Sequence, residues 1–172
     1  MPPPRPQAWA GIALGGAVVA AAFAAGIDPP PVMSVSEWAQ AERKVSAESG
    51  SPYPGDWDNA LVPYAVEPMD CLSFSDPCRD VTFKKSHQIG GTEIGVNLFG
   101  YVVDQVPCTV MIVLPTIDEA KKFDNVKLTP TIEATPVLAA KVRPQKRRSK
   151  SGSTMSFKRY PGGRTHLIGA NS

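Results

Sequence analysis

The spacing of apolar positions changes several times along this chain, and each change marks an element. After the prolines at 29–31, "VMSVSEWAQAERKV" offers Ser34 or Ser36 as the cap of a short helix with Trp38 and Ala41 facing inward. A Pro/Gly-rich loop then leads to a second short helix around Val66 to Leu72. "DVTF" (80–83) reads as a short strand, and "TEIGVNLFGYVVDQ" (92–105) as a helix with Ile94, Leu98, Tyr101 and Val102 on one face. "CTVMIVLP" (108–115) is a continuous apolar run of the kind a buried parallel strand carries. Thr116 caps the next helix, with Asp118 and Glu119 in its first turn. Pro136 interrupts a further helical stretch, "TPTIEATPVLAAKV". "TMSFKRY" and "THLIGA" flank the turn "PGG" and read as strands or a hairpin. Strand, loop, helix, strand, helix is an α/β order, here with a mostly parallel sheet.

The N-terminal stretch from Gln7 to Ile27, "QAWAGIALGGAVVAAAFAAGI", carries no charge and is about long enough to span a bilayer. With Arg5 ahead of it, it also has the layout of a signal peptide. Its alanines and glycines make insertion marginal. Trp9, Ile12, Gly16, Val19, Phe23 and Gly26 recur at steps of three and four, which predicts a helix over about 8–26 that lies against protein. A membrane span and a cleaved signal are the alternatives.

Composition bounds the rest. With 172 residues, 42% apolar and 20% charged, the chain has material for one ordinary core and a tail. Prolines clustered at 2–6 and 29–31 place the boundary between a loosely tied segment, 1–32, and a globular part, 33–172. Cys71, Cys78 and Cys108 form no C-x-x-C pair, which fits a reducing compartment. His87 and His166 are too few and too separated for a metal site or a triad. Residues 1–80 hold 4 Lys and Arg against 10 Asp and Glu, and residues 81–172 hold 14 against 6, so the halves stand at −6 and +8. The excess peaks in "KVRPQKRRSK" (141–150), where Lys146, Arg147, Arg148 and Lys150 crowd together. Such a run is a solvated loop or a contact for nucleic-acid phosphate, and without interleaved aromatics it implies no base reading.

The candidate chemistry lies in "KKSHQIGGTE". A phosphate-binding loop has the form G-x-x-x-x-G-K-[ST], with backbone N–H groups cradling phosphates and the hydroxyl on Mg²⁺. Here Lys85 comes first, Gly90 and Gly91 sixth and seventh, and Thr92 last. A loop wrapped around phosphates brings its first and seventh positions to the same oxygens from opposite ends, so a lysine at the front can replace one at the back. A glycine-containing turn without ligand is the other reading. Trp57 and Tyr64 precede the loop as aromatics that cover a purine or pin a core.

Five ordered segments, "SVSEWA", "PYAVEPMD", "FKKSHQIGGTE", "IVLPTIDEAKKF" and "FKRYPGGRTHLIGANS", resemble the large terminase subunit of tailed bacteriophages of the lambda type, over about residues 30–172. The resemblance implies a P-loop ATPase that packages double-stranded DNA, followed in the complete protein by a nuclease. It implies ATP held by Lys85, Gln88, Gly90 and Gly91, Mg²⁺ on Thr92, and adenine near Tyr64. It also implies a terminase small subunit, portal and procapsid as partners, an oligomeric motor, and a location in the cytoplasm of the bacterial host. Val66 and Asp58 depart from the pattern, standing where cations are common in the family. No apolar strand closing in Asp-Glu is found, so the expectation is an incomplete ATPase domain, inactive alone. A noncatalytic nucleic-acid-binding or assembly module using 141–150 is the alternative.

Overall fold

In the computed structural model, the described residues are 32–143 and 157–171. They belong to the second of two units into which the chain divides, Val32–Ser172. The 8–27 stretch and the cations at 146–150 therefore lie outside the description. Among the described residues, no helix is long and apolar enough to cross a membrane.

Helix α1 (Val35–Glu42) begins at a complete capping box. Ser34 Oγ accepts from Glu37 N–H at 3.2 Å, and Glu37 Oε2 accepts from Ser34 N–H at 2.8 Å, so two first-turn donors are satisfied reciprocally. Val35, Trp38 and Ala39 are its buried face. Ala41, expected inside, is exposed, because a helix starting at 35 buries positions 35, 38 and 39 instead. A short antiparallel pair, β1 (Lys44–Val45) with β2 (Gly55–Asp56), follows. Helix α2 (Val66–Cys71) matches the predicted short helix.

Residues 80–83 carry no strand. A strand persists only when its N–H and C=O groups pair, and no described strand runs beside this segment. Helix α3 (Gly91–Asp104) is the central element, and its buried surface exceeds one stripe: Ile94, Val96, Asn97, Phe99, Tyr101, Val102 and Val103 are all covered. α1 and α2 pack against it, as does α6, introduced below. Gly100 lets the ring of Trp38 lie directly on the α3 backbone, where a Cβ would collide with it.

Strand β3 (Thr109–Leu114) leads into helix α4 (Ile117–Phe123), capped by Thr116 Oγ1, which accepts from Glu119 N–H at 3.2 Å. A π-helical turn, Asp124–Leu128, joins α4 to α5 (Thr129–Ala134), and α6 (Pro136–Lys141) restarts at the predicted proline. Strands β4 (Phe157–Tyr160) and β5 (Gly163–Gly169) complete the sheet in the order β3-β5-β4. β3 runs parallel to β5 with Met111 opposite His166, and β4 pairs antiparallel with β5 through the Pro-Gly-Gly turn. The fold is α/β, and the sheet is mixed rather than mostly parallel, because the tight turn forces the last pair to be a hairpin. β3 was expected to be buried on both faces. Met111 and Val113 are instead 63% and 54% exposed, because the described helices cover only one face.

The core runs from Trp38 and Met69 through Phe99 and Val103 to Leu128, Leu138 and Leu167. Each such side chain, fully buried, contributes about 1.5–3 kcal/mol. Two charged pairs are buried with it. Lys158 Nζ donates to Asp124 Oδ2 at 2.8 Å and to Thr129 Oγ1 at 3.2 Å, joining β4 to the π turn. Burial pushes the Asp124 carboxyl above its usual value, against the opposing pull of Lys158 and Thr129. The second pair, centred on Arg43, lies beside the loop described next.

Candidate functional site

The loop 84–90 enters α3 through two residues with positive φ, Gln88 at 58° and Gly90 at 72°. Gly90 occupies the left-handed region that glycine adopts freely, whereas Gln88 pays for it, the kind of local strain that concentrates at functional loops. The turn sets the chain so that α3 starts without a side-chain cap. Among the described residues, nothing accepts from the N–H groups of Gly90, Gly91 or Thr92, while Glu93 N–H bonds back to Gly90 C=O at 2.9 Å. Three donors at the positive end of a 14-residue helix are thus left without a partner among the described residues.

Lys85 folds over this end. Its Cδ and Cε lie against Gly91, where a Cβ would meet them. Its Nζ has only a 3.4 Å contact to Ser86 C=O, and among the described residues it forms no ion pair. Thr92 is exposed. Tyr64 Oη donates to Ile89 C=O at 2.9 Å, tying the aromatic to the loop. The structure thus brings Lys85, Gln88, Gly90, Gly91, Thr92 and Tyr64 to one place. A groove of about 710 Å³ opens there, lined by Tyr53, Trp57 and Tyr64 on one side and Gln88, Gly90 and Glu93 on another. Lys85, Gly91 and Thr92 are not part of its lining. Trp57 is nearly buried and its indole N–H donates to Asn59 Oδ1 at 2.8 Å, so it serves as a wall rather than a free platform.

Sequence reasoning missed the residues beneath the groove. Arg43, 2% exposed, donates to Asn97 Oδ1 at 3.0 Å, Thr131 Oγ1 at 3.0 Å, Lys44 C=O at 2.8 Å and Glu93 Oε2 at 2.7 Å. Burial lowers the affinity of its guanidinium for the proton, and Glu93 works against that. Lys127 Nζ, from the π turn, donates to Glu93 Oε1 at 2.9 Å and Ser49 C=O at 3.1 Å. No spacing signals this cluster, because its hydrogen bonds between side chains join residues 34 to 88 positions apart. The only local hint is a glutamate three residues past a helix-starting glycine.

The residues present fit a polyphosphate: open N–H donors, a flexible lysine and a glycine turn together favour an anion. For a divalent cation they supply one oxygen, Thr92 Oγ1. Among the described residues, no group of three His, Cys, Asp or Glu could hold a metal, and Glu93 is already shared between two cations. The basic run is shorter in free charge than it reads, since Lys141 is paired with Asp104 at 2.8 Å.

A profile described as "Phage terminase large subunit gpA, ATPase domain" matches residues 51–172. The chain is 29% identical over 136 residues to the large terminase subunit of Escherichia phage lambda, and 28% identical over 137 residues to that of Enterobacteria phage P21. These alignments take in 79% and 80% of this chain but 20% of each relative, so the chain spans about a fifth of the length of the curated relatives it matches. No solved structure matches it. The loop, its helix, β3 and the β4–β5 hairpin all fall within the matched residues, and the chain belongs to the phage terminase large subunit family, in its ATPase domain.

Proposed function

We propose that this chain forms the phosphate-binding part of a P-loop ATP site with the lysine moved to the front of the loop, working in a large terminase subunit that powers packaging of duplex DNA. The single observation that carries this reading is the uncapped start of α3, with Lys85 folded over Gly91 and Tyr64 bonded to the same loop. Lys85 neutralises phosphate, Gln88, Gly90 and Gly91 shape the cradle, and Tyr64 borders the base side of the groove. Thr92 Oγ1 is the residue that would hold Mg²⁺. Mg·ATP, when bound, supplies the phosphoanhydride whose hydrolysis drives the motor. Kinship extends the reading to duplex DNA, a small terminase subunit and a portal-bearing procapsid as partners of an oligomeric motor. The basic residues Lys146, Arg147, Arg148 and Lys150 are the proposed DNA contacts, the globular part is taken as 33–172, and the place of action is the cytoplasm of the bacterial host.

Mg·ATP titrated into the 172-residue chain tests the phosphate site. Lys85→Ala is expected to weaken binding at least about tenfold, the size of one charge-assisted hydrogen bond. Lys84→Ala is expected to change it much less. The distinction comes from packing rather than strand alternation, since it is the Lys85 stem that lies on Gly91. Equal losses in the two variants would remove the assignment.

A further inference from the structure

Glu93 is the third residue of α3. A glutamate there ordinarily reaches back to the N-cap N–H, as Glu37 does in α1 at 2.8 Å. In α3 it does not: Oε2 is held by Arg43 at 2.7 Å and Oε1 by Lys127 at 2.9 Å, with the carboxylate 16% exposed. Both oxygens are taken up by cations, and the N–H of Gly90 has no side-chain cap. The two cations come from elements distant in sequence, the end of α1 and the π turn. The Arg43 guanidinium is further locked by Asn97 and Thr131, so its position is not negotiable. Lys127 is the accessible member, with a side chain 27% exposed in the groove wall.

We propose that Arg43 and Lys127 are positioning residues that hold the Glu93 carboxylate off the amino end of α3, keeping its first N–H groups available to phosphate. This rests on the phosphate-site reading above. Released from Lys127, Oε1 has a favourable alternative while Oε2 stays on Arg43: accepting from Gly90 N–H as a capping-box glutamate does. There it takes up that donor and repels an incoming polyanion. The same side-chain type thus stabilises α1 by capping and serves α3 by being prevented from capping.

Titration of Mg·ATP into the full chain and four variants, Lys127→Met, Glu93→Gln, the two combined and Lys127→Arg, decides it. Lys127→Met is expected to weaken binding about tenfold or more, as an added like-charge contact does. Adding Glu93→Gln to Lys127→Met removes the competing charge and is expected to recover most of that loss. Lys127→Arg, which keeps the cation, is expected to bind as the parent does. A lysine acting as a direct phosphate ligand, or as mere scaffolding, predicts that Glu93→Gln changes binding by the same factor with and without Lys127→Met, and that equality would overturn the proposal while leaving the phosphate site standing. Full affinity in Lys127→Met would overturn it too. If the parent chain itself binds no Mg·ATP, both readings fall. Circular dichroism melting accompanies each titration, and if Lys127→Met does not fold, Lys127→Gln, uncharged and polar, takes its place in the same comparison.

Discussion

Asp104 ends α3 and gathers three donors: the Trp38 indole N–H at 2.9 Å, the Gln105 amide at 2.7 Å and Lys141 Nζ at 2.8 Å. Burial works to raise its carboxyl, but hydrogen bonds from Lys141, Gln105 and Trp38, with the Lys141 charge, outweigh it and hold the group below its ordinary value. A folded-state value below the unfolded one, about 3.9, gives stability that is fully present above that pH and lost as pH falls through the folded value. Asp104→Asn is therefore expected to cost about 1–3 kcal/mol near neutral pH and progressively less below pH about 4, where the parent carboxyl also becomes neutral. Urea unfolding at a series of pH values measures this, and a constant difference down to strongly acid pH would refute it. Trp38 was legible in the sequence as an inward residue. Its partner Asp104 was not, because they are 66 residues apart.

Among the elements, the π turn has the most to hold. Asp124 opens it and pairs with Lys158 of β4 inside the core, while Lys127, three residues on, leaves it to reach Glu93. One irregular turn thus ties the sheet on one side to α3 on the other. Lys158→Met leaves Asp124 buried without its cation and is expected to destabilise the fold by about 3–5 kcal/mol. Replacing both, as Lys158→Met with Asp124→Leu, is expected to recover most of that, since a buried pair exchanged for apolar groups is often neutral. Denaturant midpoints compare the two, and a double variant as unstable as the single would sink the account. The sequence showed a helix starting at Thr116 and another broken by Pro136. It did not show the π turn, because nothing in "DNVKL" opposes an ordinary helix; the pairs of Asp124 with Lys158 and of Lys127 with Glu93 come from segments distant in sequence. Strand "DVTF" failed for the converse reason: its local pattern suits a strand, but pairing needs a neighbour.

Under the proposed function, the chain has a phosphate cradle with one candidate metal oxygen, Thr92 Oγ1, and among the described residues no group of three His, Cys, Asp or Glu to complete a metal site. Phosphoryl transfer depends on a metal held jointly by the loop hydroxyl and an acid. Mg·ATP binding without turnover is thus what the proposed site, as the described residues build it, accounts for. Phosphate release by the purified chain, measured beside Lys85→Ala, checks this. Sustained release in the first that disappears in the second would show that an acid within the chain serves the site.

Local chemistry made a good part of this protein readable. Caps, proline breaks, the Pro-Gly-Gly hairpin and a glycine-rich turn ahead of an apolar helix depend on neighbours within a few residues, and they were found where the pattern put them. The order of segments carried the family, which the profile match supports. Burial and pairing obey different rules, because they depend on which distant segments meet. Whether β3 is covered on both faces, whether 80–83 finds a partner strand, and where Glu93 points are settled by packing. Arg43 and Lys127 acquire their roles only when α1 and the π turn come together around the start of α3, and no spacing along the chain encodes that meeting.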